Sequence, residues 1–230
     1  MKKIGLLGGM SWESTASYYK ALNEGVKERL GGLNSAKVVL FSVNFDEIEK
    51  LQHQGKWDET AVLLSQAAES VEKAGADFLM ICTNTMHKVV PEIESRISIP
   101  VLHIADATAN VLQADGIEKV GLLGTRFTME QDFYKGRLAD KFGMEVLVPN
   151  SEDQETVHSI IYDELCKGII KENSKEQYLA IINKLYQQGA QAVILGCTEI
   201  ALLVNQEDTQ VPLYDTTEIH AKQGVEYALS

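Results

Sequence analysis

The sequence predicts an α/β protein with two pseudo-symmetric, three-layer α/β lobes and mainly parallel sheets. Short apolar runs alternate with longer amphipathic stretches, which is typical of βαβ units. Several segments recur in the same order in the second half of the chain. A length of 230 residues suits one large α/β domain or two small ones. We expect a ligand cleft between the lobes, at the carboxyl ends of their strands.

The individual elements follow from these patterns. Strands are predicted at residues 3–8, 37–43, 77–82, 100–104, 119–124, 145–149, 192–197 and 211–214. The clearest helical patterns span residues 57–74 and 174–188. Gly75 and Gly189 follow them, and glycine is the residue that most often ends a helix.

The two halves are related by an internal repeat. KIGLLG at 3–8 recurs as KVGLLG at 119–124, and Gly75-Ala76 recurs as Gly189-Ala190. The Ile-Pro-Val-Leu segment at 99–102 is echoed by Val-Pro-Leu-Tyr at 211–214. Matches in one order at nearly one offset indicate a duplication. We therefore predict a first lobe of residues 1–104 plus 209–230 and a second lobe of residues 105–208.

Composition excludes several classes of protein. The net charge of −12 disfavours nucleic acid as a partner, because backbone phosphates require a basic surface. Three cysteines do not indicate a disulfide framework. No apolar run reaches the roughly 18 residues of a membrane span, and the first strand begins without a recognisable leader. We expect a cytoplasmic protein that binds neither nucleic acid nor membrane.

The stretch LMICTNTMH (79–87) raises a question of register. Cys82 and Thr83 are adjacent, and neighbouring residues of a strand point to opposite faces. Aligning Gly75 with Gly189 places Cys82 opposite Gly196 and Thr83 opposite Cys197. The repeat therefore selects Thr83, not Cys82, as the counterpart of Cys197.

Four motifs carry a resemblance to a known family. With GLLGGMSWEST, CTNTMH, GLLGT and GCTEI in this order, the chain resembles the aspartate/glutamate racemases, which work without pyridoxal phosphate. The resemblance covers residues 3 to about 220. It implies an amino-acid substrate, no cofactor, no metal and a homodimer. It also implies one catalytic cysteine in each lobe, the two facing each other across the substrate α-carbon.

The chain departs from this family at one of the two cysteines. Gly196-Cys197-Thr198 matches the second motif, but the first reads Thr83-Asn84-Thr85, with threonine in place of cysteine. The resemblance implies that Cys197 is the thiol base and that Thr83 donates or relays the second proton. Cys82 would take that role only if the strand slipped by one residue. Otherwise Cys82 is a packing thiol.

The resemblance also implies a set of substrate-binding residues. These are Met10, Ser11, Asn84, Thr85, Thr125, Lys167 and Thr198. Small polar residues in such positions also cap helices, and Lys167 would otherwise be a solvated helix residue. His87 and Glu199 are auxiliary candidates that tune proton transfer, with capping or a surface hydrogen bond as the alternative. Cys166 has no motif around it and is interpreted as structural.

Selectivity for an acidic side chain usually requires a cation. Aspartate-specific relatives carry an arginine after the second strand, but residues 44–56 contain none. Lys50, Gln52 or His53 could substitute. The range of amino acids therefore remains open, from L-aspartate and L-glutamate to a broader set.

Other functions are less consistent with the motifs. KIGLLGGM lacks the full G-x-G-x-x-G spacing of a dinucleotide site, and no two histidines have helical metal-ligand spacing. A related isomerase or decarboxylase would also use a cleft cysteine. A non-catalytic amino-acid sensor is the alternative from another class, because one catalytic cysteine is missing.

Overall fold

The computed structural model describes residues 1–230. In chain order the elements are β1 (Ile4–Gly8), α1 (Trp12–Leu30), β2 (Val38–Ser42), α2 (Phe45–His53), α3 (Trp57–Lys73), β3 (Phe78–Ile81), α4 (Val90–Glu94), α5 (Ile104–Ala114), β4 (Lys119–Gly124), α6 (Arg126–Glu130), α7 (Asp132–Phe142), β5 (Glu145–Leu147), α8 (Ser151–Asp163), α9 (Glu172–Gln187), β6 (Ala192–Gly196), α10 (Ile200–Leu203), β7 (Leu213–Asp215) and α11 (Thr216–Leu229). Short 3₁₀ helices cover Thr85–Val89, Leu165–Lys167 and Gln206–Asp208. The alternation of strands and helices confirms the predicted α/β class.

The first unit contains Met1–Ile104 and His220–Ser230. Its three strands form a parallel sheet in the order β2-β1-β3. Both faces of the sheet are covered, which explains why β1 is apolar along its whole length. Leu79 and Ile81 of β3 pack toward α3 on one face, whereas Met80 packs toward α1 and α11 on the other.

A glycine in β1 allows the α3 layer to pack closely against the sheet. A Cβ atom on Gly5 would lie 2.6 Å from a methyl group of Val71 on α3. Because real Cβ atoms do not approach neighbours this closely, only glycine fits without moving the helix. The glycine of the repeated KIGLLG motif is therefore a packing residue.

The second unit spans Ala105–Ile219. Its parallel sheet has four strands in the order β5-β4-β6-β7. One apolar cluster packs β6 residues Val193 and Leu195 against Ile181 and Leu185 of α9. The residues of α9 thus pack against β6 as the residues of α3 pack against β3 in the first unit.

The strand order and the hydrogen bonds confirm the duplication. The order β2-β1-β3 repeats as β5-β4-β6. In the first unit, the amide of Leu79 in β3 donates to the carbonyl of Pro100 at 2.9 Å. In the second unit, the amide of Val193 in β6 donates to the carbonyl of Pro212 at 2.8 Å. The predicted strand at 100–104 is present only as a single bridge between Leu79 and Val101, however. Its counterpart in the second unit is the strand β7.

The structure also moves one predicted boundary. Residues 209–219 were expected in the first lobe, but they belong to the second unit. The reason is that β7 completes the second sheet by pairing with β6, with Leu213 opposite Val193 and Asp215 opposite Leu195. Most of α11, from His220 onward, belongs to the first unit again.

No helix is both long enough and apolar enough to span a membrane.

Candidate active site

In the second unit the polar residues cluster directly after β6. The strand ends at Gly196, and Cys197 and Thr198 are half-buried where it ends. The thiol of Cys197 donates to Glu199 Oε2 at 3.0 Å, and the hydroxyl of Thr198 donates to the same oxygen at 2.7 Å. Glu199 is almost fully buried. One buried carboxylate therefore accepts hydrogen bonds from both side chains of the Cys-Thr motif.

The environment of Cys197 keeps it a thiol in the absence of substrate. Burial raises the pKa of Cys197 well above its ordinary value, and the negative charge of Glu199 and the nearby Cys166 raise it further. The same carboxylate can also accept the thiol proton, since it is already hydrogen-bonded to it. A cationic group placed beside the sulfur would lower the pKa and favour the thiolate.

In the first unit, Cys82 and Thr83 occupy different environments. Cys82 is 0% exposed and packs among Leu6, Tyr18 and Met80 in the cluster beneath α1 and α11. Burial in this apolar cluster raises the pKa of the Cys82 thiol. Thr83, one residue further on, is half-buried, like Cys197. This placement favours Thr83 over Cys82 as the chemically available residue.

The backbone around Thr83 is held by two side chains from different elements. The hydroxyl of Ser14, in α1, donates to the carbonyl of Cys82 at 2.9 Å. The ring nitrogen Nδ1 of His87 lies 2.8 Å from the carbonyl oxygen of Thr83. His87 is buried, so its hydrogen bond is internal and not the surface bond considered as an alternative. Ser14 was not predicted, because its partner lies 68 positions away in the sequence.

Three predicted substrate-binding residues have structural partners of their own. Met10 is buried in the cluster beneath α3. Ser11 caps α1, and its side chain accepts from the amide of Ser14. Thr125 caps α6 in the same way, with its side chain accepting from the amide of Thr128. Ser11 and Thr125 therefore cap helices, and their contact with a substrate stays a prediction.

A βα turn such as the one after β1 can offer its backbone amides to an anion. The amide of Gly9 instead donates to the hydroxyl of Thr15 at 2.8 Å. Because Thr15 also donates to the carbonyl of Ser11 at 3.0 Å, the turn is tied internally to α1. Any anion site at this turn must therefore use amides other than that of Gly9.

The remaining predicted residues differ in accessibility. Asn84 and Thr85 are buried, and they follow Thr83 directly at the start of a 3₁₀ helix. The side chain of Lys167 is 59% exposed and lies 3.5 Å from Asp163. Lys50 and His53 are paired with Asp46 and Glu49 of their own helix. The acidic partners of these three side chains are all at least partly exposed.

The duplicated parallel α/β unit is the fold of solved aspartate and glutamate racemases, and the protein is an isomerase of the racemase class. The chain matches the model of the Asp/Glu/hydantoin racemase family over residues 7–224 and belongs to that family.

Individual relatives agree with this assignment. The chain is 26% identical over 230 residues to the broad specificity amino-acid racemase RacX of Bacillus subtilis (strain 168), with 96% of each chain covered. A Yersinia pestis structure assigned as an Asp/Glu racemase is 56% identical, with a TM-score of 0.94 and full coverage of both chains. An aspartate racemase homologue from Pyrococcus horikoshii OT3 is 37% identical, with a TM-score of 0.87 and the same coverage.

Proposed function

We propose that the protein racemises amino acids with Cys197 as the base and Thr83 as the opposite proton carrier. The observation that carries this proposal is the pair of hydrogen bonds from Cys197 and Thr198 to the buried carboxylate of Glu199. They give the thiol an immediate proton acceptor. The half-buried position of Thr83, at the matching point of the first unit, supports its role.

Each proton in the reaction has a donor and an acceptor. The proton of the Cys197 thiol passes to Glu199, and the thiolate then removes the α-proton of the L-amino acid. Thr83 delivers its hydroxyl proton to the opposite face of the carbanion and takes a proton from water at the same time. Cys197 and Glu199 return the extra proton to solvent, so the protein is unchanged after one turnover.

Thr83 acts as a relay because its hydroxyl is far less acidic than a thiol, whose pKa is about 8.5 when free. It is therefore a poor base for the D enantiomer. We expect turnover of the L enantiomer to be the more easily measured. The equilibrium constant of a racemisation is one, so kcat/KM must be equal in both directions. The two enantiomers can therefore differ only in kcat and KM taken separately, by factors that compensate each other.

The substrate class is an amino acid, from L-aspartate and L-glutamate to a wider set. The family and the Pyrococcus relative support acidic substrates, whereas RacX is a broad-specificity enzyme. No arginine occurs between residues 44 and 56, and Lys50 is engaged by Asp46 at 2.6 Å. These features favour a broader range.

Incubation in D₂O with a panel of L-amino acids tests the proposal. Deuterium should enter the α-position, and chiral chromatography should detect the D product. Cys197→Ala should abolish both signals, and Cys166→Ala is the matched control in the same unit. Retention of exchange by a folded Cys197→Ala variant would sink the mechanism. Measurable amino-acid binding without any exchange in the wild-type protein would favour the sensor instead.

We also propose that the protein is a homodimer in which a second copy covers β2. This strand lies at the edge of its sheet and pairs only with β1. Leu40 and Phe41 on it are 46% and 40% exposed, an apolar edge of the kind that pairs with another chain. Light scattering after size exclusion should give twice the chain mass, and Leu40→Lys should yield a monomer. A wild-type monomer would disprove this assembly.

A further inference from the structure

We infer that Ser14 and His87 are positioning residues that fix the orientation of Thr83. Their bonds hold the carbonyls of Cys82 and Thr83, which are the peptide groups on either side of the Thr83 α-carbon. Together they restrict both backbone torsions of this residue, and hence the direction of its Cα–Cβ bond, which carries the hydroxyl. The inference rests on the proposed role of Thr83 in proton transfer.

The tautomer of His87 follows from its two partners. The amide of Ile104 can only donate, and it donates to Nε2 of His87 at 3.2 Å. The ring proton must then lie on Nδ1, which donates to the carbonyl of Thr83 at 2.8 Å. The pKa of His87 lies well below its ordinary value because of burial and the neighbouring His103 and His220. The ring is therefore neutral, and its orientation is fixed at both nitrogens.

Two further histidine rings lie beside the ring of His87. Its ring centroid lies 4.5 Å from that of His103 and 6.0 Å from that of His220. His220 in turn donates through Nε2 to the carbonyl of Leu102 at 2.7 Å and accepts from the hydroxyl of Tyr18 at 2.8 Å. Ser14 and Tyr18 are both buried residues of α1. The turn that carries Thr83 is thus tied to α1 through Ser14, whereas His220 bonds to Tyr18 and to Leu102.

Positioning matters most for the second proton. Cys197 removes the α-proton without help from the first unit's turn, so deuterium can enter with retention even when Thr83 is displaced. Inversion requires delivery from Thr83. A misplacement of about 1 Å costs on the order of 100-fold in rate. The exchange-to-inversion ratio is the rate of deuterium exchange with retention of configuration divided by the rate of inversion. This ratio therefore reports the position of Thr83 and not the stability of the protein.

Two substitutions at His87 separate its two contacts. His87→Asn places an amide N–H near the position of Nδ1 and should keep the bond to Thr83. His87→Gln places an oxygen near Nε2, so it should keep the bond to Ile104 and lose the bond to Thr83. We expect His87→Gln and Ser14→Ala each to raise the exchange-to-inversion ratio about tenfold, and His87→Asn to stay near wild type.

The control is Tyr18→Phe, which removes a buried hydrogen bond of the same histidine cluster without touching the Thr83 turn. It should lower the melting temperature and leave the ratio unchanged. Thr83→Ala should raise the ratio, and the Thr83→Ala/His87→Gln double variant should match Thr83→Ala alone. A ratio raised by Tyr18→Phe as much as by His87→Gln, or an unchanged ratio in His87→Gln and Ser14→Ala, would overturn the inference. If Thr83→Ala itself leaves inversion intact, the proposed role of Thr83 fails instead.

Discussion

The thiol of Cys197 and the carboxylate of Glu199 lie 3.0 Å apart in the turn between β6 and the short helix α10, where Glu199 is the N-cap residue. Two residues of separation are enough because the chain turns sharply after β6. The contact joins the proposed base to its proton acceptor within one buried turn. After burial, the charge of Glu199 is the next largest cause of the raised pKa of the thiol, and this makes the pair open to direct measurement.

Replacement of Glu199 should separate the acidity of the thiol from its catalytic use. Burial and then the charge of Glu199 raise the pKa of Cys197, so Glu199→Gln should lower that pKa. Iodoacetamide labelling of Cys197, followed by peptide mass spectrometry, should extend to lower pH in the variant. Racemisation near pH 7 should nevertheless fall by about 100-fold, because the acceptor is lost. An unchanged pH dependence of labelling would show that the carboxylate of Glu199 does not raise the pKa of the Cys197 thiol.

A second thiol at position 83 should change the turnover of the D enantiomer relative to that of the L enantiomer. A thiol is a much stronger acid than a hydroxyl, so Thr83→Cys should act as a base toward the D enantiomer. We expect kcat for D-aspartate or D-glutamate to rise about tenfold or more, with Thr83→Ser as the matched control that keeps a hydroxyl. Chiral chromatography of the reaction from each enantiomer provides the measurement. Equal D-substrate rates in the cysteine and serine variants would argue against proton transfer at this position.

Cys82→Ala should affect stability and not catalysis. The Cys82 side chain is 0% exposed and packs in an apolar cluster, so its removal leaves a small cavity worth about 1 kcal/mol. Thermal unfolding should shift down by about 2–4 °C, while kcat/KM stays within about twofold. A folded Cys82→Ala variant without activity would show that Cys82, and not Thr83, occupies the catalytic position.

Acidification should destabilise the first unit through His220. Burial lowers its pKa from 6.5 in the unfolded chain to about 4 in the folded one. Below pH 6.5 the unfolded chain binds the proton and the folded protein does not, so stability is lost as pH falls toward 4. The loss should reach about 3 kcal/mol. Urea unfolding at pH 7, 5.5 and 4 measures it, and His220→Gln should flatten the dependence by that amount. An equally steep dependence in His220→Gln would exclude this histidine as its source.

Much of the architecture follows from sequence periodicity, because buried parallel strands are continuous apolar runs. The register at Cys82 and Thr83 was also predictable, since strand residues alternate between faces and the repeat supplies a second copy for comparison. The assignment of residues 209–219 to the second unit was not predictable, because an apolar run does not reveal which sheet it joins. β7 is three residues long, and its pairing with β6 decides its place.

The individual contacts were harder to predict than the elements. Ser11 and Thr125 have the residue type of a ligand contact and of a helix cap alike, and the local backbone decides between them. Ser14 lies within the GLLGGMSWEST motif, but nothing in that motif assigns it a role. Its bond to the carbonyl of Cys82 depends on α1 packing beside β3, which the sequence of neither element specifies.

The burial of Cys82 gives the protein a natural probe of unfolding. The first unit contains this one cysteine, whereas Cys166 and Cys197 both belong to the second unit. A thiol reagent can reach Cys82 only after the cluster beneath α1 and α11 has opened, and the rate of its modification reports the free energy of that opening. Pulse labelling of the three thiols would therefore resolve whether the duplicated units unfold together or one after the other.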